Sequence, residues 1–102
     1  MTTAIDIVIP TLNAGPTLAR TLAALPAHAD LAFSTTLCDG GSRDDTVGIA
    51  HRAGVAVVTA PAGRGGQLAA GAAAGVAPWL LFLHADARLG DGAGAVIARF
   101  VA

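Results

Sequence analysis

Short apolar runs alternate along this chain with stretches of helical character. The first run is rich in β-branched residues and stops at Pro10. Runs of about four to six apolar residues bounded by Gly, Pro and Asp are typical of strands buried on both faces. The pattern predicts four such strands, at residues 5–9, 33–38, 55–59 and 79–83.

The stretches between these runs carry helix signals. In the first, Pro16 suits the N1 position of a helix, and leucines recur at helical spacing. In the second, Ser42 and Asp45 resemble a capping box, and Gly54 suits a C-terminal cap. The third, residues 67–76, is rich in alanine, although Gly71 weakens its helix propensity by about 1 kcal/mol relative to Ala. A fourth helix is predicted over residues 92–101.

This alternation of strands and helices predicts an α/β fold, with a parallel sheet joined by right-handed crossovers and flanked by helices. Ligands of such sheets bind beyond the carboxyl ends of the strands. The least ordinary residues of the chain lie at those ends and are expected to converge on one edge. They include Pro10, Thr11, Asn13, Asp39, Gly40, Arg64, His84 and Asp86.

Composition narrows the class of protein. A chain of 102 residues fits one domain, and its net charge of −1, from six arginines and seven aspartates, leaves no basic stripe for nucleic acid. The single Cys38 excludes an internal disulfide and suits a reducing compartment. The amino terminus lacks a basic signal region, and residues 79–83 are too short to span a bilayer. A cytoplasmic protein without a transmembrane segment is expected.

Two glycine-containing segments are candidate ligand contacts. At residues 39–42 the glycines allow close approach, and Asp39 can accept hydrogen bonds from a base or ribose; the alternative is a tight turn capped by Ser42. At residues 63–67 a helix N-terminus favours anions, and Arg64 can pair with phosphate or stack on a base. The alternative there is a glycine turn with a solvated arginine.

The segment ending in Asp86 carries the candidate metal ligand. Mg²⁺ and Mn²⁺ accept one or two carboxylates together with substrate phosphates, and such a metal neutralises charge on a departing diphosphate. His84 is expected to hydrogen-bond the nucleotide, ahead of joining the metal shell. The alternative is that Asp86 caps the following turn and His84 packs as a satisfied polar residue. Asp6 is interpreted as structural and Cys38 as a small core residue, while Asp44 and Asp45 are interpreted as solvated helix positions.

Four motifs in this order resemble family-2 glycosyltransferases. They are Ile-Val-Ile-Pro-Thr-Leu-Asn at 7–13, Asp-Gly-Gly-Ser-x-Asp-x-Thr at 39–46, Gly-Arg-x-x-Gln-x-x-x-Gly at 63–71, and Phe-Leu-His-Ala-Asp at 82–86. The match is particularly close to a bacterial subgroup that carries His-Ala-Asp where other members have Asp-x-Asp. The resemblance extends over residues 5–89.

The resemblance implies a GT-A-type, Rossmann-like sheet of strand order 3-2-1-4, with residues 1–102 forming the nucleotide-sugar-binding half. Pro10, Thr11 and Asn13 would line the base and ribose pocket. Asp39 and Gly40 would lie at the base, and Arg64 near the base or phosphates. Asp86 would bind Mg²⁺ or Mn²⁺ and His84 would replace the first carboxylate. No catalytic base is assigned, because family members continue for about a hundred more residues, so the chain is expected to be inactive alone.

Two other functions fit the same residues. One is a non-catalytic nucleotide-binding module or degenerate fragment that forms homo-oligomers through an open sheet edge. The other is a nucleotidyltransferase, which also combines a parallel sheet with a metal and a nucleotide. The chain has no lysine and therefore no lysine-bearing phosphate loop, which argues against the second.

Overall fold

A computed structural model describes residues 5–25, 33–75, 77–86 and 96–97. Within these residues, four strands form one parallel sheet of order β3-β2-β1-β4, as the resemblance implies. The elements in chain order are β1 (Ile5–Thr11), α1 (Gly15–Ala24), β2 (Phe33–Asp39), α2 (Thr46–Arg52), β3 (Ala56–Thr59), α3 (Arg64–Ala73) and β4 (Trp79–Phe82).

Two predicted boundaries differ from the observed ones in a way that matters. Strand β1 continues through Pro10 to Thr11, which pairs with Asp39 of β2. Helix α3 begins at Arg64, three residues before the predicted start at residue 67, because glycine at positions 65 and 66 does not prevent a first turn. Both changes bring more backbone to the carboxyl edge of the sheet. The predicted helix over 92–101 lies outside the described residues apart from 96–97.

The hydrophobic core lies between the sheet and the pair formed by α1 and α2. Odd-numbered residues of β1 point into it, because side chains alternate along a strand. Ile7 and Ile9 are almost fully buried there, against Leu18 of α1 and Leu37 of β2. The leucines predicted at helical spacing in α1 belong to the same cluster: Leu18, Leu22 and Leu25.

Helix α3 packs on the opposite face of the sheet. Val8 of β1 is fully buried beneath it, and a Cβ placed on Gly71 would lie 2.3 Å from Val8 Cγ1. Non-bonded carbon atoms do not come that close, so only glycine lets the helix approach the strand at this point. The weak helix propensity of Gly71 is therefore the cost of a close helix–sheet contact.

We expect Gly71→Ala to lower the free energy of unfolding by about 1–3 kcal/mol. Overpacking against the stiff, β-branched Val8 outweighs the gain of about 1 kcal/mol that alanine offers in helix propensity. The matched control is Gly66→Ala in the same helix, where the added Cβ meets no atom within 4 Å. Urea denaturation of both variants checks the prediction, and an unchanged or raised midpoint for Gly71→Ala would show that α3 is not seated on β1 in this way.

Asp6 has a structural role, as predicted. It lies at the amino end of β1, on the edge of the sheet opposite the predicted site, and is 4% exposed. Its carboxylate accepts hydrogen bonds from the Ser34 hydroxyl and from the Ala77 backbone N–H, the latter at 2.9 Å. The side chain thus ties β2 and the segment before β4 to the start of β1.

The prediction of strands buried on both faces is correct for β1 but wrong for β3, whose first and last residues are exposed, and for β4. Three residues of β4 are at least 41% exposed, namely Trp79, Leu80 and Phe82. Strand β4 is the last strand of the described sheet on its side, so one of its edges has no neighbouring strand there. The predicted self-association through an open sheet edge remains a prediction.

No helix in the described part of the chain combines the length and the apolar character needed to cross a membrane. The cytoplasmic location expected from the sequence remains a prediction.

Candidate functional site

An open pocket of about 390 Å³ lies at the carboxyl edge of the sheet, and we refer to it as the carboxyl-edge pocket. It lies between β1 and β4, where the strand order of the sheet reverses. Open α/β sheets bind their ligands at this point. Five of the predicted site residues line it: Pro10, Thr11, Arg64, His84 and Asp86. The other lining residues are Leu12, Ala14, Gly63, Gln67 and Ala85.

Pro10 provides a local reason for the opening between the two strands. The Leu83 N–H donates to the Val8 carbonyl at 3.0 Å, and the next bond of a parallel ladder would come from the N–H of residue 10. Proline has no N–H, so the ladder between β1 and β4 ends there. Beyond this point β1 continues along β2 alone, and space is left between Pro10 and His84.

Asp39 does not line the carboxyl-edge pocket, but it is hydrogen-bonded to Thr11, which does. Its Oδ1 accepts hydrogen bonds from the hydroxyls of Thr11 at 2.8 Å and Ser42 at 2.6 Å. Its Oδ2 accepts the backbone N–H groups of Gly41 at 3.1 Å and Ser42 at 2.8 Å. Burial would raise the pKa of Asp39, but these hydrogen bonds outweigh it, so the pKa lies below its usual range. With four donors around a side chain that is 2% exposed, direct contact with a base stays a prediction.

Asn13 contacts the segment between β2 and α2 rather than the pocket. It has a positive φ of 53° and accepts the Arg43 N–H on its Oδ1 at 2.8 Å, while its own N–H donates to the Ser42 hydroxyl at 2.8 Å. Gly40, at the end of β2, also does not line the pocket; its N–H donates to the Thr11 carbonyl at 2.9 Å. Nucleotide contacts by Asn13 and Gly40 stay predictions.

The predicted capping box of Ser42 and Asp45 is wrong. Helix α2 begins at Thr46, and its N-cap residue Asp45 makes no capping hydrogen bond. Ser42 is instead engaged by Asp39 and Asn13. Local spacing suggested a cap within one helix, whereas Ser42 contacts the β1–α1 connection through Asn13 and Asp45 pairs with Arg52.

Asp44 is exposed, as the sequence suggested, but it is not a helix position. It precedes α2, and its Oδ2 accepts the N–H of Gly15, the first residue of α1, at 2.9 Å. Its Oδ1 accepts the Thr46 hydroxyl and, at 3.0 Å, the Thr46 N–H. The Thr46 hydroxyl bond is the main reason that the pKa of Asp44 lies below its usual value. An aspartate at this position compensates the positive end of the α1 dipole, which ends beside the pocket.

The segment that carries His84 and Asp86 is held against α1. The Ala85 carbonyl accepts hydrogen bonds from the hydroxyls of Thr21 at 2.7 Å and Thr17 at 3.1 Å. Both His84 and Asp86 remain exposed on either side of this fixed point. The two side chains therefore extend from an anchored backbone into the carboxyl-edge pocket.

Gln67 is the pocket residue to which the sequence assigned no role. It is 5% exposed, and its Nε2 donates to the carbonyls of Thr11 at 2.8 Å and Cys38 at 2.9 Å. The signal in the sequence was available, because Gln67 is the one polar residue between positions 65 and 78. A lone amide in a run of alanine and glycine indicates buried polar partners.

Among the described residues, the carboxyl-edge pocket offers a divalent cation one carboxylate, that of Asp86. Within the described ranges, no three His, Cys, Asp or Glu side chains gather into a metal cluster. Asp86 is an exposed carboxylate with His84 beside it in the same pocket. Mg²⁺ commonly takes one carboxylate and completes its shell with phosphates and water. Asp86 therefore suits a cation that arrives with a phosphate ligand.

Cys38 and the other cavities carry no comparable chemistry. Cys38 is fully buried in β2, and burial raises the pKa of its thiol, so its role as a core residue is confirmed. A cleft of about 240 Å³ near Phe33 has no charged lining residue, and one of about 440 Å³ between α1 and α2 has only Arg52. Of these three spaces, only the carboxyl-edge pocket combines a carboxylate with a cation.

Comparison with known proteins gives consistent results. Residues 6–97 match the family described as glycosyl transferase family 2. An uncharacterized glycosyltransferase of Mycobacterium tuberculosis is 34% identical over 90 residues, a match that covers 87% of this chain and 39% of that protein. A protein of Mycobacterium bovis with the same description matches to the same extent. The chain thus spans about two fifths of the length of these relatives.

Solved structures resemble the chain in fold. S. aureus TarS in complex with UDP superimposes with a TM-score of 0.82 at 19% identity, covering 96% of this chain and 32% of that one. Glucosyl-3-phosphoglycerate synthase from Mycobacterium tuberculosis, in complex with Mn²⁺, UDP and glucosyl-3-phosphoglycerate, gives a TM-score of 0.73 at 24% identity. That match covers 84% of this chain and 36% of the synthase.

Proposed function

The chain belongs to glycosyl transferase family 2, and from this premise we propose that the carboxyl-edge pocket binds the nucleoside-diphosphate part of a sugar donor together with Mg²⁺ or Mn²⁺. The observation that carries the proposal is the meeting of Arg64, His84 and Asp86 in one pocket at the strand-order reversal. A cation side chain, a helix N-terminus and a metal-binding carboxylate are the groups that a diphosphate with its metal requires.

The phosphate groups are proposed to lie at the start of α3. Arg64 is exposed, and in the described part of the chain its guanidinium has no ion pair. The next two residues, Gly65 and Gly66, have nothing within 4 Å of their Cβ positions, so a ligand can approach the first-turn N–H groups closely. Those N–H groups and the positive end of the helix dipole favour an anion there.

The base is proposed to rest on β1. Pro10 and Leu12 offer apolar surface at the rim, and Leu12 is 51% exposed. The polar groups of Thr11 are already engaged, since its hydroxyl bonds to Asp39 and its carbonyl accepts from Gly40 and Gln67. Thr11 and Asp39 thus contribute to base binding mainly by holding the end of β1 in position.

The cation is proposed to be held by Asp86, with His84 as a hydrogen-bonding partner of the nucleotide. When bound, such a metal supplies charge neutralisation at the departing diphosphate. Asp86 and Arg64 then hold opposite sides of the donor and fix its orientation. The anchored Ala85 carbonyl keeps the Asp86 backbone in place.

Transfer itself is proposed to need groups beyond those described. An inverting transfer requires a base that deprotonates the acceptor hydroxyl. Of the carboxylates in the described ranges, Asp86 alone lines the pocket, and a carboxylate that ligates a metal is not free to act as that base. We therefore expect the chain alone to bind the donor without transferring sugar.

Calorimetry with UDP and Mn²⁺ tests the proposal, because one structural neighbour is solved with UDP and another with UDP and Mn²⁺. We expect UDP to bind more tightly with Mn²⁺ than with EDTA by at least about 10-fold, since one carboxylate and the diphosphate share the metal. GDP in place of UDP reports base preference. Absence of binding by either nucleoside diphosphate, with or without metal, would sink the proposal.

A further inference from the structure

The side chain of Gln67 connects the start of α3 to the ends of two strands. Its amide has two N–H groups, and these donate to the carbonyls of Thr11 at 2.8 Å and Cys38 at 2.9 Å. Its Oε1 accepts the N–H of Gly63, the N-cap residue of α3, at 3.0 Å. Both ends of the amide are thus used, and β1, β2 and the α3 N-terminus meet at one side chain.

Two glycines make room for this arrangement. A Cβ on Gly40 would lie 2.9 Å from Gln67 Oε1 and 3.0 Å from its Nε2. Gly63 has a φ of 148°, in the region that favours glycine, and this turns its N–H back toward the amide. Glutamine also matches the partners, because a carboxylate would oppose two carbonyl oxygens and a leucine would remove one donor from each of them.

We propose that Gln67 is a positioning residue for the donor diphosphate, an inference that rests on the proposed function. Arg64 and the two following glycines form a first turn with little side-chain packing of its own: all three residues are exposed. Gln67 follows Arg64 by about one helical turn and is buried. Its bond to the Thr11 carbonyl holds this first turn against β1. Arg64 can then contribute to phosphate binding at low entropic cost, because its backbone is fixed before the ligand arrives.

A double-mutant cycle in UDP affinity tests this inference. The variants are Arg64→Ala, Gln67→Leu and the two combined, measured by calorimetry with UDP and Mn²⁺ on the whole chain. We expect each single substitution to weaken UDP binding by at least about 10-fold, and Arg64→Ala to cost less than about 2-fold further when Gln67→Leu is present. If Gln67 only supported the fold, Arg64→Ala would weaken UDP binding to the same extent with and without Gln67→Leu.

Two further variants separate positioning from stability. Ser34→Ala removes a hydrogen bond to Asp6 at the opposite edge of the sheet and should lower the melting temperature without changing UDP affinity. Should Gln67→Leu be unfolded at the assay temperature, Gln67→Asn keeps the amide on a shorter side chain and takes its place in the cycle.

The outcomes distinguish the two proposals. Multiplicative losses for Arg64→Ala and the Gln67 variant, or unchanged affinity in the Gln67 variant, would overturn the positioning role and leave the proposed function standing. Failure of the unmodified chain to bind either UDP or GDP would overturn the proposed function and this inference with it.

Discussion

Replacing Asp86 with alanine is expected to abolish the Mn²⁺-dependent part of UDP binding while leaving the fold intact. Asp86 is exposed, and no hydrogen bond to its side chain is seen within the described residues, so the substitution should change stability by no more than about 0.5 kcal/mol. The loss of affinity for Mn²⁺ should be far larger than this change in stability. Substituting residues that merely orient a metal ligand commonly costs about 10–100-fold in affinity, and here the ligand itself is removed.

Thermal unfolding gives a direct readout of this difference. At a ligand concentration of about 100 times Kd, binding stabilises a protein by about 2.7 kcal/mol, which raises the Tm of a domain of this size by on the order of 10 °C. We expect that shift with UDP and Mn²⁺ in the unmodified chain, and in Asp86→Ala only the smaller shift that UDP gives in EDTA.

The matched control is Asp45→Ala, which removes an exposed carboxylate outside the pocket and should keep the full shift. Equal shifts in Asp86→Ala and in the unmodified chain would show that the metal is held elsewhere.

Replacing Asp39 with asparagine should lower the free energy of unfolding much more than Asp86→Ala does. The carboxylate accepts four hydrogen bonds, and an amide cannot accept from both N–H groups and both hydroxyls in the same orientation. Hydrogen bonds to a charged group each contribute about 1.5–3 kcal/mol, so we expect a loss of about 3 kcal/mol in the free energy of unfolding. That is a large part of the total free energy of unfolding of a small domain, which is typically about 5–15 kcal/mol.

The effect of Asp39→Asn should depend on pH with a defined sign. The folded-state pKa of Asp39 is lowered, so its contribution is fully present above the unfolded value of about 3.9 and is lost as pH falls through the folded pKa. Urea denaturation at several pH values should therefore show the gap between the two proteins narrowing below about pH 4.

Asp45→Asn, at an ion pair with both partners 66% exposed, should change stability by less than about 1 kcal/mol and serves as the control. A gap between the unmodified chain and Asp39→Asn that is constant with pH would contradict a role for the Asp39 charge.

Much of the fold could be predicted because its signals are local. Apolar runs bounded by proline, glycine and aspartate placed all four strands, and the alternation with helices gave the parallel sheet. The strand order came from the resemblance and is confirmed. The convergence of Arg64 and Asp86 on one edge follows from the same topology, since both lie just past strand ends.

The remaining features are hydrogen bonds between segments distant in sequence. Ser42 was expected to form a capping box with Asp45, and Asp44 to be a solvated helix position. In the structure Ser42 accepts the Asn13 N–H and Asp44 accepts the Gly15 N–H, each 29 positions earlier in the chain. Gln67 bonds to a carbonyl 56 positions away. Such partners depend on how the elements pack, which periodicity and local spacing do not report.

The most direct test of the central claim is the location of Mn²⁺ and UDP on the protein. In two-dimensional NMR spectra, paramagnetic Mn²⁺ broadens signals of nearby amides, and the small size of the chain suits the method. With UDP present we expect broadening at Thr11, Arg64 and Asp86 and sharp signals at Ile5 and Ser34, at the opposite edge. Broadening centred at the amino edge, or none that depends on UDP, would contradict a nucleotide–metal site in the carboxyl-edge pocket.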